Sequence, residues 1–377
     1  MYKQLLLTTL IVVSFIHCGN DDTANQPNNP FVIEEVDLQL DTLASGLQNP
    51  WALDFLPDGS ILICERPGNL IRFENGNLTT ITGLPQIEAV GQGGLMDILL
   101  HPDYANNQSL FFTATTPATG GYSTGLYKAN FNETTNALEN VEMIYQATPI
   151  NWSQGHFGSR IVIDEEGYIF LALGERQIPE MAQDNTNSSG TVVRLHQDGT
   201  IPSDNPFVND PTIASEIWSY GHRNPQGMDI HPETGKIWLH EHGPQGGDEI
   251  NIVEKGGNYG WPIATYGINY DGTIISEDTF VVGTILPIYY WIPSIAPCGM
   301  GFYNSDSIPQ WKGSLFLGAL AGWHLNRLDL DDESVVAEYR LLQDFGRFRA
   351  VKQGPDGYLY FLTEGNGGLF CRYRPVP

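Results

Sequence analysis

One theme recurs along the chain: a tight polar turn, then a short strand-like apolar run, then a polar loop. It occurs six times. Pro57-Asp58-Gly59-Ser60 leads into Ile61 to Cys64, His101 to Gln108 into Ser109 to Phe112, and Asp164-Glu165-Glu166-Gly167 into Tyr168 to Leu173. Pro232-Glu233-Thr234-Gly235 leads into Lys236 to His240, Trp311-Lys312-Gly313 into Ser314 to Leu320, and Pro355-Asp356-Gly357 into Tyr358 to Glu364. Asp-Gly and related pairs supply the positive φ that tight hairpin turns demand, and the β-branched and aromatic residues after them alternate as half-buried strands do. The spacing is about 60 residues per unit, longer than the ~40 to 50 of common propeller repeats, with long loops making up the difference. No stretch from Phe31 to Pro377 carries a sustained 3.6-residue apolar period, so helix should be scarce. The expected fold is all-β, a six-bladed β-propeller with four antiparallel strands per blade, which protects its sheet edges by closing the ring. A pair of large β-sandwiches is the rival, because the repeat is degenerate. Nothing inside the unit reads as a linker, so residues 37–377 form one domain.

The balance of 18 basic against 44 acidic residues, a formal charge of -26, argues against a nucleic-acid partner and against anionic membranes, since both need a cationic face. The apolar run Leu5 to Ile16 after Lys3 is short for a membrane span and suits a signal peptide over residues 1–17. It stops at His17-Cys18-Gly19, ahead of an Asn- and Asp-rich segment with the composition of a flexible tether over residues 18–36. That pattern is similar to a bacterial lipoprotein signal with Cys18 as the lipidated residue, although His17 is bulky for the position before the cysteine. Export to the periplasm or outer surface follows, with membrane contact only through that lipid. Cys64, Cys298 and Cys371 lie in or beside apolar runs and read as buried free thiols, without the spacing of a zinc site.

Groups that a scaffold does not need concentrate between Glu216 and Pro262. Arg223-Asn224-Pro225 offers a guanidinium fork and an amide, and Gly243 to Asp248 offers closely approaching carbonyls plus a carboxylate. Together they suit an anionic ligand and a hard cation. Gly243 and Pro244 followed by Asp248 fit calcium, which takes oxygen ligands in irregular geometry. His240 and His242 would share one face of a strand, a weak zinc signal without a third ligand. Earlier, His156 sits between glycines in Gly155-His156-Phe157-Gly158-Ser159-Arg160, a place for a neutral imidazole base or for a turn histidine bonded to backbone. One hairpin later the strand ends in Gly174-Glu175-Arg176, so Glu175 can return to the same rim and orient His156. Arg347 and Arg349, two residues apart, face one side of a strand as a carboxylate fork or as members of internal ion pairs.

Taken together, GHFGSR, SYGHRNPQG, HGPQGGDEIN, KGGNYGWP, GRFR and VGQGGLMDILLHPDY resemble the soluble quinoprotein sugar dehydrogenases, over roughly Leu43 to Arg374. The resemblance implies a six-bladed propeller that oxidises aldoses with calcium and pyrroloquinoline quinone. It makes His156 the base for the anomeric hydroxyl, with Glu175 its partner where the family often has aspartate, and counts Arg223 with the catalytic set. Arg223, Asn224, Arg347 and Arg349 would contact the quinone, with Gln92 on the substrate side and Asp248 in the site. Gly243 and Pro244 would give carbonyl oxygens to calcium. The product would be a lactone, the hydride acceptor the quinone, and the final partner an external electron acceptor. One position departs: some members carry a lysine where this chain has Ala321. Two rivals follow, a non-catalytic propeller that binds glycans or proteins, and a calcium-dependent lactonase. Sugar choice is expected to lie in the loops Gln177 to Ser189 and Tyr266 to Thr279.

Overall fold

The computed structural model describes residues 31–376. The expected signal peptide, Cys18 and most of the tether lie outside the described residues. The rest is almost entirely β, with one four-residue α-helix, Tyr104–Asn107, and two short 3-10 turns among the described residues.

Six antiparallel sheets of four strands make the blades, and one of them gains a fifth, parallel strand. The first strands of blades 1 to 6 are Pro50–Phe55, Leu95–Leu100, Ile161–Ile163, Pro225–Ile230, Pro297–Phe302 and Phe348–Gln353. Each first strand lies beside those of its neighbours, and Phe348–Gln353 returns to Pro50–Phe55, so they ring a central channel. The ring is closed by the two ends of the described chain. Leu38–Gln48 pairs antiparallel with Asn366–Pro375 to complete blade 6, placing Thr42 opposite Cys371.

The six recurring turns join the first strand of each blade to its second. Five have their left-handed residue at Gly59, Gly167, Gly235, Gly313 and Gly357, and the sixth puts Gln108 at φ 53° after the helical turn. This backbone requirement explains why the turns are legible in the sequence. The strands after them depart from the expected half-burial. Ile61–Glu65, Ile169–Ala172, Ile237–Glu241, Leu315–Ala319 and Leu359–Thr363 are buried at every residue. Each blade is covered on both faces by its neighbours, so alternation has no solvent side to report.

Apolar clusters fill the blade junctions. Leu53, Ile63 and Phe73 of blade 1 meet Leu362 and Phe370 of blade 6, while Trp51, Cys64 and Leu70 pack with Phe112 and Tyr127 of blade 2. Cys64, Cys298 and Cys371 are free and buried. The last residues of the expected tether lie against the propeller. Val32–Ile33 pairs in parallel with Ser334–Leu341 on the edge of blade 5, and the Glu34 carboxylate accepts from Arg327 Nε at 2.8 Å. No helix among the described residues is long and apolar enough to cross a membrane.

Candidate functional site

The site sits at the end of the channel where the inner strands begin. The loop entering blade 3 carries His156 in a left-handed conformation (φ 49°). Its carbonyl oxygen lies where a Cβ on Gly174 would come within 2.2 Å, so only glycine lets the end of the second strand pass. That passage brings Glu175 against the imidazole, with His156 Nδ1 at 2.6 Å from Glu175 Oε2. Glu175 is 1% exposed. A carboxylate accepts only, so Nδ1 carries the proton and Nε2 is left as the acceptor. The backbone N–H of His156 donates to Gln92 Oε1 at 2.8 Å, and that of Glu175 to the carbonyl of Arg223 at 2.9 Å. Three blades therefore fix one histidine. Arg176 buttresses the loop from behind, donating to the carbonyls of Gly155, Tyr122 and Ser153 with its guanidinium 3.9 Å from the Phe157 ring. Burial lowers its pKa to about 10, which still leaves it charged at neutral pH.

Blade 4 opens with Arg223 and Asn224. The Arg223 backbone N–H donates to the buried Glu241 carboxylate, and its guanidinium donates to the carbonyls of His242 (3.0 Å) and Gly243 (2.8 Å). Its Nε is buried without a hydrogen-bond partner among the described residues. Asn224 is buried and accepts from Gln226 Nε2 at 3.2 Å. On blade 6, Arg347 and Arg349 converge on Glu364. Arg347 Nε lies 3.0 Å from Glu364 Oε2, and Arg349 Nη2 lies 2.5 Å from Glu364 Oε1. Arg349 also donates to Gln226 Oε1 and Cys298 Sγ, each at 3.1 Å, and its Nε has no hydrogen-bond partner among the described residues. The internal ion pair expected as one alternative is thus present in these two arginines, which also line a cavity.

Two adjoining cavities open among these groups. The inner one, about 310 Å³, is lined by Gln92, Asn224, Arg347, Arg349, Glu364 and Arg66, among others. The outer one, about 750 Å³, is lined by Gln92, His156, Glu175, Arg223 and Pro244, and by Tyr270 and Ile274 from a long loop. Gln92 lines both. Both loops expected to set specificity reach the outer cavity, the first through Gln177 and Glu180.

Asp248 lines neither cavity. It is fully buried, with Oδ1 accepting from the Gly243 N–H at 2.9 Å and Oδ2 from Ser294 Oγ and the N–H groups of Ile295 and Ala296. Burial raises its pKa to about 6. Asp248, expected among the cofactor-binding residues of the site, instead fixes the turn that carries Gly243 and Pro244. Behind that turn is a small pocket lined by Glu241, Gly243, Gly247 and Glu249. Burial, aided by the nearby Glu241 carboxylate, pushes Glu249 well above the usual carboxylate range. No group of three or more His, Cys, Asp or Glu side chains suited to a metal occurs among the described residues, so a cation here would rely on main-chain oxygens. His240 and His242 do not form a zinc pair: their Nε2 atoms bond the carbonyls of Gly299 (2.9 Å) and Pro297 (2.7 Å) on blade 5. Burial lowers His240 to about 3 and holds both imidazoles neutral.

The site thus joins His156, Glu175, Gln92, Arg223, Asn224, Arg347, Arg349 and Pro244 on one rim. Arg66 and Glu364 are additional, single residues at strand ends that no motif marks. The model of the Glucose / Sorbosone dehydrogenase family matches residues 47–372. The chain belongs to that family. Aldose sugar dehydrogenase YliI of Escherichia coli is 41% identical over 90% of this chain and 93% of its own length. Quinoprotein glucose dehydrogenase B of Acinetobacter calcoaceticus is 34% identical over 87% and 85%. Among solved structures, the apo-form of the soluble E. coli aldose sugar dehydrogenase aligns with TM-score 0.88, 41% identity, and coverage of 90% of this chain and 100% of that one. The PQQ-bound form of an aldose sugar dehydrogenase from Streptomyces coelicolor aligns with TM-score 0.75, 25% identity, and coverage of 89% and 98%. Within the glucose/sorbosone dehydrogenases, this chain pairs its rim histidine with Glu175.

Proposed function

We propose that this PQQ-dependent sugar dehydrogenase oxidises an aldose at its anomeric carbon to a lactone, with His156 as the base. The observation that carries the reading is the His156–Glu175 contact at 2.6 Å, on the same rim as the arginine-lined cavity. Pyrroloquinoline quinone is a tricarboxylate, and the donor chemistry of the inner cavity fits it: Arg347 and Arg349 line the cavity, and the buried Nε of Arg349 lacks a partner among the described residues. When bound, the quinone supplies a hydride acceptor, and calcium a Lewis acid that sharpens it. Calcium would use the carbonyl oxygens of the Gly243–Pro244 turn, where Arg223 donates to the Gly243 carbonyl and the crowded carboxyl groups of Glu241 and Glu249 lie close behind.

The chain's own contribution follows from the geometry. Glu175 holds the proton on Nδ1 of His156, so Nε2 faces the outer cavity as the acceptor for the anomeric hydroxyl proton. As that proton arrives, the imidazolium is stabilised by the buried carboxylate at its back. Gln92 holds the His156 backbone from one side, and Glu175, through its own N–H to the Arg223 carbonyl, ties it to blade 4 on the other. Arg223 adds positive charge where the anomeric oxygen becomes negative.

A non-catalytic binding module would have no need for an imidazole oriented by a carboxylate. A lactonase would ring its calcium with side-chain carboxylates and amides, and no group of three or more His, Cys, Asp or Glu side chains suited to a metal occurs among the described residues. The reading also places the enzyme outside the cytoplasm, tethered through Cys18 and passing electrons to an external acceptor. The test is to add calcium and pyrroloquinoline quinone to purified apoprotein and follow dye reduction with a panel of aldoses. Dye reduction dependent on all three components is expected; no reduction with any aldose would refute the proposal.

A further inference from the structure

The chain carries more than twice as many acidic as basic residues, so an arginine without a carboxylate partner is unusual here. Nine of the twelve arginines, all within the described residues, lie within 4.0 Å of a carboxylate. The other three are Arg66, Arg176 and Arg223. Arg176 is taken up by three carbonyls and an aromatic face. Arg223 has a role in the reading above. That leaves Arg66, which stands just past the second strand of blade 1, Ile61–Glu65, and lines the inner cavity with Gln92, Arg347 and Arg349.

Arg66 is half-buried, and among the described residues only one of its guanidinium nitrogens finds an acceptor: Nη1 donates to the Gly91 carbonyl at 2.6 Å and to that of Gly93 at 3.4 Å. Those bonds orient the fork, leaving the N–H groups of Nη2 and Nε without a protein acceptor among the described residues. On the neighbouring blade 6, Arg347 and Arg349 share the single charge of Glu364, and blade 5 lines the wall with Ala296 and Leu320, which bring no charge. The cavity therefore holds three guanidinium groups against one carboxylate. A ligand with several carboxylates supplies what is missing.

We infer that Arg66 is a cofactor-binding residue that takes a carboxylate of pyrroloquinoline quinone from the blade 1 side, next to the Arg347/Arg349 pair of blade 6. This rests on the quinone reading above. By the same bonds Arg66 ties the cofactor to the Gly91–Gly93 loop, and hence to Gln92 and the His156 backbone.

The test is equilibrium titration of the apoprotein with pyrroloquinoline quinone, followed by tryptophan fluorescence at low and high salt, for wild type, Arg66→Gln and Arg66→Lys. Unfolding midpoints of the apo forms are measured alongside. Wild type should bind, and Arg66→Gln should raise Kd by about 10-fold or more, as loss of a charge-assisted bond does. It should also show a shallower salt dependence, because one screened charge is gone, and Arg66→Lys should recover part of both. Binding by Arg66→Gln equal to wild type overturns the inference. So does weaker binding with the salt dependence unchanged and no recovery in Arg66→Lys, which would put the effect in the Gly91–Gly93 loop. A wild type that binds no quinone would bring down the underlying reading itself, a result distinct from either.

Discussion

The two ends of the central channel are both lined with charge, and they handle it differently. Below the site, charges are matched within the protein. Arg160 Nη1 meets Asp97 Oδ1 at 3.1 Å, Lys352 Nζ meets Asp54 Oδ1 at 2.6 Å, and Asp229 accepts from the Phe302 N–H at 3.0 Å. The cavity among them is about 90 Å³. At the rim, Arg66 and Arg223 have no carboxylate, Arg347 and Arg349 divide one, and the cavities are several times larger. Buried charge that is paired holds blades together, whereas cations left partly unmatched around an open cavity are arranged for an anion that arrives later.

The contrast can be broken at either end. At the rim, His156→Ala should lower kcat by about 10²- to 10⁴-fold while leaving cofactor affinity and unfolding near wild type. Unchanged turnover would remove His156 as the base. At the floor, Asp97→Ala should do the opposite, costing about 3 kcal/mol or more in denaturant unfolding, because it leaves the Arg160 guanidinium buried and unpaired. Weakened quinone binding with stability intact would make the floor part of the site.

Asp248 sharpens the comparison from within the rim, since it behaves like a floor residue. Its pKa is raised by burial to about 6 against the ordinary 3.8. Between about pH 4 and pH 6 the folded protein holds a proton that the unfolded chain has released, so this group's contribution to stability falls as pH rises through that window. Asp248→Asn should flatten that part of the profile, by roughly 2 kcal/mol across the window. A variant with the wild-type slope would show that Asp248 is ionised throughout. The smallest effect is expected at Gln92→Ala, which deletes the acceptor for the His156 N–H and should lower kcat/KM by about 5- to 10-fold.

The fold was legible because a turn with positive φ leaves a residue signature, and five of the six turns use glycine there. Burial of the following strands on both faces was not, since it depends on neighbouring blades rather than on the strand's own pattern. At the site, His156, Glu175 and the arginines could be singled out because each lies in a Gly-rich or paired segment. Asp248 looked the same in sequence whether its oxygens met a ligand or the N–H groups of Gly243, Ile295 and Ala296. Arg66 and Glu364 carry no motif, and their role follows only from the cavity they share. The docking of Val32–Ile33 on blade 5 escaped notice for a similar reason: two residues of parallel pairing have no periodicity to read.

The most direct test of the account is a crystal structure of the protein soaked with calcium and pyrroloquinoline quinone. The quinone should fill the inner cavity with its carboxylates on Arg347, Arg349 and Arg66, and with its reactive face toward His156 Nε2. A quinone bound away from that rim in protein that still turns over sugar would contradict it.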